Sequence, residues 1–214
     1  MEPDDVDVVF VAGASGGTGR EVLRLLGGRE PTVRALTRSA ERRERLLAAG
    51  ADEVVVDDLL DPTDLRSPLE GVDVVLSAVG SGVAEVWSSG PVMESALGVG
   101  DEPASALATT FNLFIGPVQR AKAEAEAALR AAPVRHTVLR PGALTNGSRI
   151  DDVTVAEPGA KLWGLVSRAD VARLMVAAPT TPDAADRTFE VVATPSFRDR
   201  ALAVDWRLPG REAP

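Results

Sequence analysis

The sequence predicts an α/β fold, a doubly wound parallel sheet with helices on both faces, in one domain over residues 1–214. Short apolar runs alternate with helical patterns, which is typical of parallel strands joined by crossover helices. Hydrophobic residues make up 45% of the chain, enough for a full core, and no apolar run approaches the roughly 18 residues of a membrane span. A glycine-rich loop follows the first apolar run directly.

The first half of the chain contains three strand–helix pairs and a fourth strand. Strands are predicted over residues 8–12, 32–37, 53–56 and 72–77, and helices over residues 17–26, 41–49 and 63–70. Gly27 and Gly28 end the first helix and Gly50 ends the second, because glycine readily adopts the backbone conformation that closes a helix.

The pattern is disturbed after the fourth strand. Only residues 81–90 lie between Gly80 and Pro91, which directly precedes a weak strand candidate, Val92-Met93-Glu94. A crossover with its helix needs at least about 10–12 residues, and the segment SGVAEVWSSG would make a poor helix. We therefore expect the helix between strands four and five to be missing and the sheet to be defective or open beside it.

The second half resumes the alternation. Residues 117–131 predict a helix with proline in its first turn, and residues 136–139 and 189–193 predict strands. Ser167 to Asp170 has the S-x-x-D form of a helix cap, so a further helix should run through residue 178. Residues from about 143 to 214 are expected to form a small substrate-side region.

The charge balance excludes some partners. The chain has 32 acidic and 23 basic residues, a net charge of −9, and only Lys122 and Lys161 are lysines. Such a surface repels nucleic acid and anionic membranes and is typical of halophilic proteins, although a high-GC genome would also replace lysine by arginine. The absence of cysteine excludes disulfides, cysteine–zinc sites and thiol nucleophiles. The acidic start MEPDDVD lacks a signal-peptide pattern and predicts a cytoplasmic protein.

The glycine loop predicts a dinucleotide site of the Rossmann kind. Gly13 lets the chain turn off the strand, Gly16 lets the backbone approach a pyrophosphate, and Gly19 lets the helix pack close to the strand. The following helix would direct its free N–H groups at the phosphates. The remaining loop residues expected at the cofactor are Ser15, Gly17 and Thr18. The alternative is a tight strand-to-helix turn with no ligand.

The end of the second strand favours NADP(H) over NAD(H). NAD sites place an acidic residue there, whereas this strand ends in Thr37-Arg38, with Arg34 nearby. A guanidinium can bind the 2′-phosphate with two hydrogen bonds. The alternative is that Arg38 is an ordinary solvated residue.

Five segments together resemble the atypical short-chain dehydrogenase/reductase superfamily, in its NmrA-like and flavin-reductase-like branch. They are GASGGTG at 13–19, VRALTRS at 33–39, DDLLD at 57–61, RAKAEAEAALRAAPVRHTVLRPGALTNG at 120–147 and SRADVARLM at 167–175. The resemblance implies that cofactor contacts also come from Asp58 and Leu59 at the adenine and from Ser77, Ala78, Val79 and Gly80 after strand four. It further implies contacts from Lys122 at the ribose and from Pro141, Gly142, Ala143 and Leu144 near the nicotinamide.

The resemblance fails at one catalytic position. The superfamily uses Y-x-x-x-K, in which lysine lowers the pKa of a tyrosine acid; here Lys122 is in place, but Val118 replaces the tyrosine and the chain has no tyrosine at all. Ser95 takes the place of the active-site serine. Lys122 and Ser95 are the catalytic candidates, with a solvated lysine and a structural serine as the alternatives.

Other conspicuous residues favour structural explanations. His136, the only histidine, lies in an apolar strand and is expected to be structural. Asp151-Asp152 lacks the histidine or cysteine neighbours of a metal site, so no metal is expected. Trp87, Trp163 and Trp206 are expected to pack rather than to carry a cofactor.

Three functions remain. The first is an NADP(H)-dependent oxidoreductase that passes hydride to a small conjugated acceptor of the flavin or quinone type, which needs little acid catalysis. The second is a non-catalytic NADP(H) sensor that controls a regulatory protein partner, as NmrA-like regulators do. The third is a sugar-nucleotide epimerase or dehydratase, which is disfavoured because it also needs the tyrosine and a larger substrate lobe.

Overall fold

A computed structural model describes residues 1–2, 5–59, 61–79, 91–94 and 122–209. Its strands are β1 (Val8–Ala12), β2 (Thr32–Thr37), β3 (Glu53–Val56), β4 (Val74–Ser77), β5 (Pro91–Glu94), β6 (Thr137–Pro141), β7 (Ala143–Thr145), β8 (Thr154–Ala156), β9 (Leu165–Ser167) and β10 (Arg187–Val192). Its helices are α1 (Gly17–Leu26), α2 (Arg43–Leu47), α3 (Arg66–Leu69), α4 (residues 122–131) and α5 (Arg168–Ala177).

Eight strands form one sheet in the order β3-β2-β1-β4-β5-β6-β10-β8. The first seven are parallel, and β8 is antiparallel to β10. The chain thus starts in the middle of the sheet, builds outwards to β3, and returns to build from β4 on the other side. This reversal leaves a crevice above the carboxyl ends of β1 and β4, where open α/β sheets bind ligands.

Both faces of the sheet are covered, as the alternation along β1 shows. Val9 and Val11 enter the main core, which includes residues of α1, α2 and α5, whereas Phe10 and Ala12 enter a second cluster on the opposite face. Helix α1 buries one stripe through Val22, Leu23 and Leu26. The predicted doubly wound α/β fold is therefore confirmed.

The predicted elements are present with shifted ends. Strands β1, β2 and β3 and helix α1 match the predicted bounds, whereas the second helix divides into a 3₁₀ turn (Ala40–Arg42) and α2, and α3 begins three residues late. The cap at Ser167 is confirmed, since its Oγ accepts the N–H of Asp170 over 2.9 Å. Residues 117–121 of the fourth predicted helix lie outside the described part.

The expected interruption of the sheet is wrong. Strand β5 pairs in parallel with β4 through Leu76 and Val92, and with β6 through Val92 and Thr137. Four strand residues are enough for both ladders, so the sheet continues across the short link. Residues 80–90, on which the prediction of a missing helix rests, lie outside the described residues.

The region after β6 contains structure that the sequence patterns did not predict. Strands β7 and β9 form a two-stranded parallel sheet, and β8 adds the antiparallel edge strand. Residues 201–208 have no regular structure, but Leu202, Val204, Trp206 and Leu208 pack against the main core. Among the described residues no helix has both the length and the apolar character to span a bilayer.

Candidate functional site

The predicted cofactor residues gather at the carboxyl edge of the sheet. Ala12 at the end of β1 is in register with Ser77 at the end of β4, and Thr37 at the end of β2 with Val56 at the end of β3. The glycine loop, Arg38, the loop after β3 and residues 78–79 consequently leave the sheet at the same edge. Gly80 lies outside the described residues.

The glycine loop is tightly packed where the sequence requires glycine. Gly13 has φ +74°, and a Cβ there would lie 2.7 Å from the backbone C and O of Ala78. A Cβ on Gly19 would lie 2.2 Å from the carbonyl oxygen of Gly13. Helix α1 therefore begins directly against the end of β1, and the loop lies against the first residues after β4.

The start of α1 is an open cradle for an anion. Gly16 is exposed, has extended backbone at the N-cap, and carries no side chain that could cap the helix. The first helical N–H groups, which begin at Gly17 and Thr18, have no intrahelical partner, and the helix dipole adds a partial positive charge. The cradle fits the pyrophosphate of a dinucleotide, because backbone donors converge there and Gly16 has no side chain to block their approach.

Arginines surround the loop. The guanidinium of Arg42 donates to Ser15 Oγ over 2.9 Å, and that of Arg20 donates to the Ser15 carbonyl over 3.2 Å. Arg38 is exposed at the end of β2 and forms no hydrogen bond or ion pair within the described ranges. Arg34 is engaged elsewhere, since its Nε donates to Glu53 over 2.6 Å.

Sequence reasoning missed Arg42. Arg42 lies four residues beyond Arg38, in the 3₁₀ turn after β2, and its guanidinium reaches Ser15 of the glycine loop. This position directly after β2 could have indicated a second arginine near the cofactor. Arg42 and Arg20 make the region beside Ser15 cationic, and Arg38 leaves β2 at the same edge of the sheet.

The loop after β3 is held by Asp57. Its carboxylate accepts N–H groups from Asp58, Thr63 and Asp64 over 2.8–3.1 Å. The hydrogen bond from Thr63, with smaller contributions from Asp64 and Asp58, outweighs desolvation and lowers the pKa of Asp57 below its usual value. Asp58 and Leu59, the predicted adenine residues, are therefore fixed in place, with Leu59 partly buried against the second core cluster.

The predicted nicotinamide residues lie on β6 and β7. Pro141 is buried at the end of β6, and the N–H of Ala143 donates to the Gly164 carbonyl over 2.8 Å. A Cβ on Gly142 would lie 2.4 Å from that same oxygen. Ala143 is exposed and Leu144 packs towards the core, and β7 follows directly on the carboxyl end of β6.

Of the two catalytic candidates, the structure describes Lys122 but not Ser95. Ser95 lies outside the described residues. Lys122 is half-buried at the start of the described part of α4, one turn before Glu126. Glu126 is fully buried and accepts hydrogen bonds from Arg140 on β6 over 2.8 and 3.2 Å. This pair anchors the helix that carries Lys122 to the sheet.

The sequence match to known proteins agrees with this geometry. A family model described as NAD(P)H-binding matches residues 13–87 and 91–182, from the glycine loop to just beyond α5. The chain belongs to this NAD(P)H-binding family. Its fold is that of the NAD(P)-binding Rossmann proteins of the atypical short-chain dehydrogenase/reductase type, so the resemblance is confirmed.

Individual relatives are distant. The chain is 26% identical over 200 residues to YhfK, an uncharacterised sugar epimerase of Bacillus subtilis, covering 86% of this chain and 92% of that protein. ChuY, an anaerobillin reductase from Escherichia coli O157:H7, superposes with a TM-score of 0.75 at 21% identity, covering 88% of this chain and 98% of ChuY. A short-chain dehydrogenase/reductase from Veillonella parvula in complex with NADP has a TM-score of 0.69 at 18% identity, covering 92% and 100%.

His136 and the Asp151-Asp152 pair, which the sequence made conspicuous, contact other groups of this chain. His136 Nδ1 lies 3.2 Å from the Val134 carbonyl and 3.3 Å from Asp186. Asp151 pairs with Arg149 and Arg173, and Asp152 pairs with Arg198. No group of three acidic or histidine residues that could hold a metal occurs in the described part of the chain.

The tryptophans differ from one another. Trp206 packs edge-on against Phe189 with ring centroids 5.6 Å apart, as expected for a packing residue. Trp163 is 67% exposed and touches Phe197 only by its edge, with centroids 6.1 Å apart. Trp87 lies outside the described residues.

Proposed function

We propose that the protein is an NADPH-dependent oxidoreductase that passes hydride to a small conjugated acceptor of the flavin or quinone type. The observation that carries the proposal is the combination of a Rossmann glycine loop, cationic beside Ser15, with a chain that contains no tyrosine. The first feature favours a 2′-phosphorylated cofactor, and the second favours an acceptor that needs no strong protein acid.

The preference for NADPH is supported at the end of β2. Arg38 has no carboxylate partner among the described residues, and Arg42 reaches the loop hydroxyl of Ser15. An acidic residue in this place would instead accept the ribose hydroxyls of NAD. Arginine is well suited to a phosphate because its planar guanidinium donates two parallel hydrogen bonds.

The choice of acceptor follows from proton supply. Bound NADPH supplies a hydride, that is, two electrons and one proton, and is oxidised to NADP⁺. Reduction of an isolated carbonyl also needs a proton donor at the oxygen, a task for tyrosine in the superfamily. A quinone or flavin delocalises the added charge, so water can supply the proton. Lys122, which is half-buried on helix α4, would stabilise the bound ribose.

The test is steady-state oxidation of NADPH followed by its absorbance, with a panel of quinones and flavins. We expect turnover with at least one acceptor and a lower rate with NADH at equal concentration. The reaction without acceptor gives the background rate. An absence of turnover above this background with every acceptor would contradict the proposed oxidoreductase.

The second candidate is a non-catalytic NADP(H) sensor. It is favoured by the same absence of tyrosine, because binding of the cofactor needs no proton donor. Tight NADP(H) binding without turnover, together with a change in a protein partner's association on binding, would support the sensor. The name of the Bacillus relative suggests sugar epimerisation, which the missing tyrosine disfavours.

A further inference from the structure

Arg168, the first residue of α5, lies on the glycine loop although it is distant in sequence. A Cβ on Gly17 would lie 2.5 Å from Arg168 Cδ and 2.6 Å from Nε. The arginine side chain therefore occupies the space beside Gly17 that a larger residue would fill. This contact joins the start of α5 to the start of α1.

In the part of the chain that the structure describes, Arg168 has no negatively charged partner. It is the first residue of α5 and touches the first residue of α1, so it faces the positive ends of two helices. Its NH1 donates to Asn146 Oδ1 over 2.7 Å, which is a neutral partner. Among the described residues no carboxylate forms an ion pair with it.

The nearest acidic residue of α5 is already occupied. Asp170 is 1% exposed, and its carboxylate accepts the Ser167 hydroxyl over 2.6 Å. It also accepts the N–H groups of Ile150 and Asp151 over 3.0 and 3.1 Å. These bonds direct Asp170 towards the loop at residues 150–151. The Arg168 guanidinium thus has a neutral partner, Asn146, and lies at the positive ends of two helices. This environment favours the binding of an anion beside it.

We propose that Arg168 binds the pyrophosphate of the dinucleotide, from the C-terminal part of the chain, with Asn146 as the residue that positions it. The inference rests on the proposed function, because that function places the pyrophosphate at Gly16 and Gly17. The inference gives the arginines of the site two different roles. Arg38 and Arg42 would recognise the 2′-phosphate, which only NADP(H) carries, whereas Arg168 would recognise the group that both cofactors share.

The two roles predict different patterns of affinity. Arg168→Gln should weaken NADPH and NADH binding by the same factor, about tenfold or more, because a charge-assisted hydrogen bond is lost from both complexes. It should leave the affinity for 2′-AMP, which carries only the adenosine phosphate, unchanged. Arg168→Lys should recover part of the affinity, since charge is kept but the planar fork is lost.

Calorimetric titration of the full chain with NADPH, NADH and 2′-AMP measures these affinities. Arg173→Gln, which removes an arginine from the same helix where it pairs with Asp151, is the matched control and should leave them unchanged. The melting temperature without cofactor should not fall in Arg168→Gln, because Arg168 faces two positive helix ends. A loss of NADPH affinity without a loss of NADH affinity would overturn the assignment.

Gly17→Ala provides a second variant that keeps every charge. The added methyl group must displace Arg168, so it should weaken NADH binding more in the wild-type background than in Arg168→Gln. Equal factors in both backgrounds would overturn the inference. If the wild type binds neither NADPH nor NADH, the proposed function fails; if it binds both and Arg168→Gln binds equally well, only the role of Arg168 fails.

Discussion

Arg38 follows the end of β2, Arg42 in the next turn bonds to Ser15 of the glycine loop, and each can be tested alone. We expect Arg38→Gln and Arg42→Gln to weaken NADPH binding about tenfold while leaving NADH binding within about twofold, because only NADPH carries the 2′-phosphate. Competitive titration of both cofactors measures the change in preference.

Arg198→Gln is a suitable control for the loss of one positive charge. Arg198 is an exposed arginine that pairs with Asp152, and exposed pairs contribute little to stability. It should leave both affinities unchanged. An unaltered NADPH/NADH ratio in the Arg38 and Arg42 variants would show that these residues do not bind the 2′-phosphate.

Asp57 makes the stability of the loop after β3 depend on pH. Its pKa is lowered in the folded protein, so its stabilising effect is complete above the unfolded-state pKa of about 4 and is lost as the pH falls through the lower folded value. Because solvent screens this exposed carboxylate, Asp57→Asn should lower the melting temperature at pH 7 only slightly, by about 2 °C or less.

The difference between wild type and Asp57→Asn should shrink as the pH falls from 5 towards 3, because the wild-type carboxyl group then also becomes neutral. Thermal melts across this range measure it. Asp61→Asn, a change in the same exposed loop, should show no comparable dependence. A difference that stays constant down to pH 3 would contradict the role of the Asp57 charge.

Helix α4 is fixed to the sheet by a buried ion pair as well as by apolar contacts. Glu126 is 0% exposed and Arg140 is 6% exposed, and Arg130 also reaches Glu126. Ala125 and Leu129 pack on Val138 beside them. Removing one partner of such a pair leaves an uncompensated charge in the interior, which costs more than the pair itself contributes.

Glu126→Gln should therefore destabilise the protein by about 3–5 kcal/mol, as measured by urea unfolding. Glu124→Gln, an exposed change on the same helix, is the control and should cost less than about 0.5 kcal/mol. The NADPH affinity of Glu126→Gln should also fall if α4 presents Lys122 to the ribose. Equal stability of the two variants would show that the buried pair is not what anchors α4.

Elements defined by local pattern were predictable, and those defined by distant contacts were not. Strand β1, the glycine loop and α1 follow from apolar periodicity and from glycines whose Cβ atoms would clash. By contrast, β7 and β9 have only three residues each and exist because they pair with each other. The contact between Arg168 and Gly17 spans the two halves of the chain, and nothing in either local sequence indicates it.

The whole molecule has a net charge of −9. We expect salt to change the total repulsion between its acidic groups more than it changes the energy of any single ion pair. Added salt shortens the Debye length from about 10 Å at 0.1 M to about 3 Å at 1 M. It therefore screens repulsion among the many exposed carboxylates. The exposed ion pairs that salt also weakens, such as Arg198 with Asp152 and Arg207 with Asp205, contribute little.

We therefore expect the melting temperature to rise steadily from dilute buffer to molar KCl, with no comparable rise in sucrose of equal osmolality. Asp61→Lys combined with Asp183→Lys, two exposed changes that each shift the charge by two and so take −9 to −5, should raise the melting temperature in dilute buffer and reduce its dependence on KCl. A wild-type melting temperature that is flat over this range would show that repulsion between carboxylates does not limit stability, and the acidic composition would then have no adaptive link to salt.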